Sequence, residues 1–287
     1  MNTPPVPTGV ARSVGIVLRR DPRTLGIDPF YVEIIAGMED LLGASGYSVL
    51  LQVVPDREAE LEAYERWAAT GGVAGVLLAD LVENDGRAER THALGLATVV
   101  LGEPATEDIT AVRVDNYGAM TDAVGALTAL GHTRIARVSG PVDLRHSQAR
   151  ALAFDAAIAA ANVAGATVEG DYTEASGAVA TRSLIESSPA PTAIIYDNDR
   201  MAVGGLDVAH ELGVAVPERL SLLAWDDSTA CRLATPPLSA MSHDVHALGE
   251  SVAEALLALI DGRTASSSQA PSPTFIGRGT TAPCPTD

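Results

Sequence analysis

The feature that most restricts the fold of this sequence is a regular alternation of short apolar runs with longer segments of helical periodicity. Residues 13–18, 47–54, 73–79 and 97–101 are apolar runs of strand length, and helical segments such as residues 30–44 separate them. Parallel strands need a crossover long enough to hold a helix. The first half of the chain is therefore predicted to form βαβ units and a largely parallel sheet.

A second series of the same kind follows. It predicts strands over residues 134–139, 167–172, 192–196 and 220–225, with helices over residues 117–130, 147–163, 176–187 and 200–212. We therefore predict an α/β protein with two doubly wound parallel-sheet subdomains. Because open parallel sheets bind ligands beyond the carboxyl ends of their strands, we also expect a ligand cleft between the subdomains.

Charge and cysteine content narrow the function. The chain has 19 Lys and Arg against 37 Asp and Glu, a net charge of -18, so its surface repels DNA. Two cysteines cannot build a disulfide framework or a multi-thiolate metal site. Residues 1–12 lack a signal-peptide core, and no stretch approaches the roughly 18 apolar residues of a membrane helix. These features predict a cytoplasmic protein without membrane contact.

Motifs of enzymes and cofactor sites are not found in the sequence. No G-x-G-x-x-G follows a strand, and no P-loop or G-x-S-x-G motif occurs. His243 and His246 lack the H-E-x-x-H frame of a zinc site, and the side chains of the adjacent Asp226 and Asp227 diverge. We predict no catalytic residue, no metal site and no cofactor.

Polar and aromatic residues instead cluster at the predicted strand ends. They are Phe30, Asp115, Arg150, Tyr172, Asn198, Asp199 and Asp226. Each has a structural alternative, since Asp115 and Asp199 suit helix caps, Arg150 suits an ion pair and Tyr172 suits the core. Together, ring faces, carboxylates, an amide and a guanidinium are typical of a site for a small polyhydroxylated ligand.

An ordered series of motifs across nearly the whole chain resembles the effector-binding core of the LacI/GalR family of bacterial transcription regulators. The motifs are DPFY (28–31), VDN (114–116), LGHTRI (130–135), SGP (139–141), PTA (191–193), NDRMA (198–202), VPE (216–218), WDD (225–227), PPL (236–238), LG (248–249) and RGT (278–280). Any one of these tripeptides is weak evidence, whereas their order is specific.

The resemblance implies a periplasmic-binding-protein-like pair of subdomains with discontinuous boundaries. The N-terminal subdomain is expected to comprise residues 13–132 and 243–262. The C-terminal subdomain is expected to comprise residues 133–242 and 264–281, and the tails residues 1–12 and 282–287. The implied effector-binding residues are Phe30, Asp115, His146, Arg150, Tyr172, Asn198, Asp226 and Arg20.

Two adjacent arginines depart from the small polar residues that the family often has at the end of the first strand. Our hypothesis is that Arg19 or Arg20 adds positive charge to the cleft and that the effector has a carboxylate or phosphate. The alternatives are solvated arginines or an ion pair with Asp21 or Asp115.

The family also implies a mechanism and partners. An effector that is a carbohydrate or a derivative would close the two lobes of a homodimer and thereby change DNA binding. Operator DNA would be bound only by a helix-turn-helix head, which in family members is about 60 residues long and finds no room before residue 13. Two alternatives remain. One is the solute-binding protein of a sugar importer, and the other is an enzyme using Asp115 and Asp226.

Overall fold

The computed structural model describes residues 12–20, 28–104, 106 and 108–285. Its strands are β1 (Ser13–Arg19), β2 (Ser48–Val54), β3 (Gly75–Leu78), β4 (Ala97–Leu101), β5 (Ala111–Arg113), β6 (Arg134–Ser139), β7 (Ala164–Glu169), β8 (Ala193–Tyr196), β9 (Ser221–Trp225), β10 (Ser239–Ser242), β11 (Ser268–Gln269) and β12 (Thr274–Ile276). Its helices are α1 (Pro29–Ala44), α2 (Arg57–Thr70), α3 (Arg87–Ala93), α4 (Asn116–Ala129), α5 (Arg145–Ala161), α6 (Glu174–Glu186), α7 (Asp199–Glu211), α8 (Thr229–Leu233) and α9 (Val245–Ile260). Within the described ranges, no helix combines the length and the apolar character that a membrane span requires.

The chain divides into two compact units. Unit 1 comprises Met1–Arg113 and Val245–Gln269, and unit 2 comprises Val114–Asp244 and Ala270–Asp287. Residues 1–11 and 286–287, which belong to the predicted tails, lie outside the described residues. Each unit contains one six-stranded sheet, so the predicted α/β class with two mainly parallel sheets is confirmed.

The sheet of unit 1 has the order β11-β5-β4-β3-β1-β2, and all of its pairings are parallel. The interior strand β1, which lies between β3 and β2, is buried along its apolar residues, from Val14 to Leu18. Helices begin where acidic side chains cap them. The Asp28 carboxylate accepts the Phe30 N–H at 3.0 Å before α1, and Asp56 caps α2 in the same way.

A close approach of two helices makes α9 part of unit 1, although α9 is distant in sequence. A Cβ atom on Gly37 of α1 would lie 2.0 Å from the His246 carbonyl oxygen, and one on Gly249 of α9 would lie 2.2 Å from that of Ile34. Only glycine permits this backbone contact at both positions. The division of the chain accordingly assigns Val245–Gln269, and with it α9, to unit 1.

The sheet of unit 2 has the order β12-β10-β9-β8-β6-β7. Only its edge pairing between β12 and β10 is antiparallel among the described strands. Apolar side chains pack on both faces of this sheet. One cluster includes Ile194 and Met201, and the other includes Phe154, Trp225 and Met241. Burial on both faces is typical of parallel sheets covered by helices.

The boundary between the units differs from the expected one at two places. Helix α4 belongs to unit 2 and not to the first subdomain, because Met120 and Leu127 pack in the same core cluster as Phe154 and Trp225. Residues 264–269 belong to unit 1 because β11 pairs with β5, and Ser268 is the partner of Val112. Neither pairing has a local signal in the sequence.

Strand β7 begins and ends three residues earlier than predicted. Its register pairs Ala164 with Arg134 and Glu169 with Ser139, and the chain leaves the sheet after Gly170 donates its N–H to the Ser139 carbonyl. The small residues at the start of β7 did not have the apolar character of a predicted strand. Tyr172 therefore lies in the turn after the strand and not at its last position.

Candidate functional site

The guanidinium group of Arg150 is the best-anchored polar group at the strand ends of unit 2. Its Nε donates to the Asn116 side-chain oxygen at 2.8 Å, and its Nη1 donates to the Asp197 carbonyl oxygen at 2.8 Å. The guanidinium carbon lies 3.8 Å from the ring centroid of Trp225, a cation–π contact. The residue is 8% exposed. The partners of the arginine named here are thus neutral groups.

Tyr172 has an unusual backbone that turns its ring onto the end of β6. Its φ is 68°, in the left-handed region, and the Asn198 side-chain amide donates to its carbonyl oxygen at 3.1 Å. The ring lies directly over Gly140, where a Cβ atom would be 2.1 Å from it. Its hydroxyl contacts His146 Nε2 at 2.7 Å and Ser147 Oγ at 3.1 Å. His146 and Tyr172 therefore belong to one cluster.

Asn198 and Asp115 both cap helices. Asn198 Oδ1 accepts the Met201 N–H at 2.9 Å, so Asn198 and not Asp199 is the cap of α7. Asp115 Oδ1 accepts the Gly118 N–H at 2.7 Å at the start of α4. Asp115 therefore has the role of a helix cap, which was the structural alternative considered for it. A cap retains lone pairs for a ligand hydroxyl, so capping and binding are compatible.

Asp226 follows β9 with a φ of 67°. Its Oδ1 contacts His243 Nε2 at 2.9 Å, and its N–H donates to the Met241 carbonyl oxygen at 3.1 Å. The neighbouring Asp227 instead accepts from Arg278 Nη2 at 2.6 Å. The two adjacent carboxylates thus point to different partners, as expected from their spacing. The role of His243 was missed, because it follows the short β10, which was not predicted.

Arg20 and Phe30 meet through Tyr31 at the strand ends of unit 1. Arg20 Nη1 and the Tyr31 hydroxyl contact the two carboxylate oxygens of Asp80 at 3.0 and 2.7 Å. The Phe30 ring packs edge-on against Tyr31, with centroids 5.3 Å apart. Burial and the charge of Asp80 raise the pKa of Tyr31, which keeps this hydroxyl protonated. The sequence analysis considered Asp21 and Asp115 as ion-pair partners of the two arginines. Asp21 lies outside the described residues, and the carboxylate that Arg20 contacts in the structure is that of Asp80.

A buried ion-pair cluster contacts the main chain at Asp80. Arg87, 2% exposed, donates to Glu60 at 2.6 Å, to both Asp85 oxygens, and to the Asp80 carbonyl oxygen at 3.0 Å. Arg19 Nε lies 3.3 Å from the second Glu60 oxygen. Burial alone would raise the pKa of Asp85, but the hydrogen bond and charge of Arg87 hold it below the usual value.

The residues that sequence analysis missed share one position. Asp80 follows β3 and Asp197 follows β8. Asn116, the first residue of α4, follows β5. Each of the three therefore lies just beyond the carboxyl end of a strand. The same rule that selected the predicted residues could have selected these three. Trp225 was not selected either, although it is the last residue of β9; its ring packs in the core cluster with Phe154 and meets Arg150 there.

One group of side chains in the described part of the chain could hold a metal ion. Asp40, His246 and Glu250 offer ligand atoms within 4.8 Å of one another across α1 and α9. His246 already contacts Asp40 at 3.0 Å and Glu33 at 3.3 Å, and the hydrogen bond to Asp40 raises the pKa of its imidazole. Ion pairs between the two helices account for this exposed cluster.

Unit 1 also contains a cavity of about 700 Å³ that lies elsewhere. It is lined by residues before β3 and at the starts of β4 and β5, among them Ala74, Ala97 and Thr110, and by the end of α9. These are the amino ends of the strands, whereas Asp80 and Arg20 lie at the carboxyl ends. We therefore place the candidate site by its chemistry and not by this cavity.

Comparisons with known proteins agree with this fold. A family model described as a periplasmic binding protein-like domain matches residues 124–281. The transcriptional regulator MalR of Streptomyces coelicolor is 30% identical over 273 residues, 90% of this chain and 78% of that protein. A solved LacI family transcriptional regulator from Bifidobacterium animalis subsp. lactis is 35% identical, with a TM-score of 0.86 over 95% of this chain and 98% of that one. The solved complex of the transcriptional regulator CelR with cellobiose is 27% identical, with a TM-score of 0.85 over 94% of this chain and 84% of that one.

The two sheets and their polar strand ends define a ligand-binding core of the periplasmic-binding-protein-like class. The matched relatives and solved structures named above are transcriptional regulators. The chain belongs to the LacI family of transcriptional regulators, in which this part of the protein is the effector-binding core.

Proposed function

We propose that the effector is a neutral carbohydrate and that it binds to the polar strand ends. The proposed contacts in unit 2 are Asp115, His146, Arg150, Tyr172, Asn198 and Asp226, and those in unit 1 are Phe30 and Arg20. The observation on which the proposal depends is the anchoring of Arg150 by neutral partners beside Tyr172. The hydroxyls of a sugar suit the edge of a guanidinium group, and the apolar C–H face of a sugar ring suits the face of an aromatic ring.

Charge favours a neutral effector over the acidic one of our sequence hypothesis. The positive charge of Arg20 is compensated by Asp80 at 3.0 Å, and Arg19 lies beside Glu60. In unit 2, the carboxylates of Asp115 and Asp226 would repel an anion that approached Arg150. The cellobiose bound to the similar CelR is a neutral disaccharide, which supports the same class of ligand.

We further propose that the protein performs no reaction. An enzyme would use carboxylates such as Asp115 and Asp226 as acid and base. Asp115 already accepts the Gly118 N–H and the Ser272 hydroxyl, and Asp226 is bonded to His243. Both carboxylates are thus employed in holding the site in shape. A turnover assay with cellobiose and the Asp226→Asn variant tests this point, since loss of hydrolysis in the variant would contradict the proposal.

The regulatory setting of this function follows from the family. We propose a homodimer in the cytoplasm that changes its affinity for operator DNA when the effector binds, with the DNA bound by a helix-turn-helix head. The relatives that match are regulators, which favours this function over the solute-binding component of a sugar importer. The closure of two lobes on the effector stays a prediction.

A binding screen tests the proposed effector class. Cellobiose, other neutral mono- and disaccharides, nucleosides, sugar acids and sugar phosphates are compared by thermal shift and then by calorimetry. A ligand of the folded state raises the apparent stability by mass action, by about 2.7 kcal/mol at a hundred times its Kd. We expect a neutral saccharide to bind more tightly than its acid or phosphate derivative. Tighter binding of the charged form would contradict the proposal.

A further inference from the structure

We propose that Arg137 and Asp197, a buried ion pair of unit 2, are positioning residues for effector binding. They hold the strand ends from which Arg150 and Tyr172 are presented. The inference rests on the proposed effector site and adds residues that do not themselves contact the effector.

The pair lies between neighbouring strands. Arg137 is on β6, and Asp197 directly follows β8, in a register that pairs Val138 with Tyr196. Arg137 Nε donates to Asp197 Oδ1 at 2.8 Å and Nη2 donates to Oδ2 at 2.5 Å, a bidentate geometry. The two side chains are 1% and 0% exposed. Both charges are thus compensated away from water.

Stability alone does not account for this pair. Removing two charges from water costs several kcal/mol per ion, and well-packed apolar residues in place of a buried pair often give an equal or higher stability. The flanking residues Ala136 and Val138 are fully buried and apolar, so an apolar side chain at position 137 would fit the pattern of β6. The further hydrogen bonds of the pair indicate a different role.

The first of these bonds lead to Arg150. The Asp197 carbonyl oxygen accepts from Arg150 Nη1, and the next residue, Asn198, caps α7 and donates to the Tyr172 carbonyl. Because the Asp197 carboxylate is clamped by Arg137, the orientation of its main-chain oxygen is restricted. This restriction keeps the guanidinium of Arg150 on the face of Trp225.

The remaining bonds lead to Tyr172. Asp197 Oδ2 accepts the Gly140 N–H at 3.1 Å, and Gly140 is the surface on which the Tyr172 ring lies. Arg137 Nη2 also donates to the Ser147 carbonyl at 3.0 Å, and Ser147 Oγ contacts the Tyr172 hydroxyl. Every additional contact of the pair named here therefore ends on a residue that touches Tyr172 or Arg150.

The test removes the pair without leaving a lone buried charge. The double variant Arg137→Met/Asp197→Asn keeps similar volumes and no net charge change within the pair. Arg137→Lys keeps the positive charge but loses the bidentate geometry. It replaces the double variant in both measurements if the double variant does not fold. The matched control is Tyr196→Phe, which removes a buried hydroxyl bonded to Thr181 from the residue just before Asp197.

The first measurement needs no effector. Trp225 is one of two tryptophans, so a Trp67→Phe background isolates its fluorescence. We expect the emission of Trp225 to change in the pair variant in the same direction as in Arg150→Gln, because both changes disturb the guanidinium on the ring. Tyr196→Phe should leave the emission unchanged. Wild-type emission in a folded pair variant would overturn the inference.

The second measurement uses cellobiose and the neutral saccharides of the screen in calorimetry. We expect Kd to rise at least tenfold in the pair variant and to stay within twofold in Tyr196→Phe. An altered emission with an unchanged Kd would also overturn the inference. If no ligand of the screen binds the wild-type protein, the proposed function fails, and the fluorescence measurement still decides whether the pair positions Arg150.

Discussion

Both units hold guanidinium groups against residues that follow parallel strands, but the partners of these groups differ. In unit 1 the formal charges of three arginines and three carboxylates cancel, and the residues are Arg19, Arg20, Arg87, Glu60, Asp80 and Asp85. In unit 2 one arginine, Arg137, is matched with Asp197, whereas Arg150 is bonded to an amide oxygen, a carbonyl oxygen and a ring face. The positive charge of Arg150 is thus not compensated by any of the partners named here.

The difference shows that a buried arginine can either stabilise the local structure or remain a hydrogen-bond donor for a ligand. A guanidinium paired with carboxylates is neutralised and immobile, so it shapes the surrounding turns. A guanidinium held by neutral acceptors is equally immobile but remains a strong donor for a ligand. We therefore assign the larger share of effector recognition to unit 2 and a mainly structural role to the arginines of unit 1.

Removal of Arg87 should have the largest effect. The Arg87→Met variant leaves Glu60 and Asp85 without their main buried cation, and we expect a loss of about 3–5 kcal/mol in the free energy of unfolding. The control is Arg90→Met on the same helix, which removes an exposed ion pair with Glu65 and should cost less than about 1 kcal/mol. Urea unfolding measures both. Equal losses would refute the structural role of the unit 1 cluster.

Arg150→Gln should weaken effector binding, in addition to the stability lost with its bonds to Asn116 and the Asp197 carbonyl. The lost charge-assisted bonds to effector hydroxyls are worth about 2 kcal/mol, roughly a thirty-fold rise in Kd. Arg145→Gln is the control, since it makes the same change five residues earlier on α5. Calorimetry with the saccharide found in the screen provides the measurement. A similar Kd in both variants would mean that Arg150 serves shape alone, as in unit 1.

Gly140→Ala tests the surface beneath Tyr172. The new Cβ atom would lie 2.1 Å from the ring, so the ring must move. We expect a loss of roughly 1–2 kcal/mol in stability, at the lower end of the cost of overpacking because Tyr172 is half-buried, together with weaker binding. Gly125→Ala on α4 meets no atom within 4 Å and should stabilise by roughly 0.5–1 kcal/mol. Chemical denaturation gives both values, and a neutral Gly140→Ala would contradict the packing described.

The smallest effects are expected in the pH dependence of the free energy of unfolding, where a group of each unit should contribute in a different pH range. Burial lowers the pKa of His132 in unit 2 below 6.5, so the unfolded chain takes up its proton first and stability falls as pH drops from about 6.5 through the folded value. Asp85 in unit 1 has a lowered pKa, so its contribution is present above about 3.8 and is lost as pH falls below that value.

The free energy of unfolding is measured from pH 7 to pH 3. His132→Gln should flatten the decline near pH 6, and Asp85→Asn should flatten only the decline below pH 4. A decline near pH 6 that is unchanged in His132→Gln would show that another group is responsible.

Much of the site could be predicted because its residues follow a positional rule. Arg150, Tyr172, Asn198 and Asp226 were selected as polar or aromatic groups at strand ends. In the structure Arg150 donates to the Asp197 carbonyl, and the next residue, Asn198, donates to the Tyr172 carbonyl. The partners of the predicted residues were harder to find. Asp80 pairs with Arg20 from a position sixty residues away, and no local pattern indicates such a pairing.

The order of apolar runs and helical segments determined the α/β class and the two parallel sheets, and the ordered motifs indicated the family, because both are read along the chain. The tertiary structure decided which helix belongs to which unit, as for α4, and which arginines are paired with carboxylates and which with neutral groups. Those outcomes depend on contacts between distant residues and on the burial of their partners, which a linear pattern does not contain.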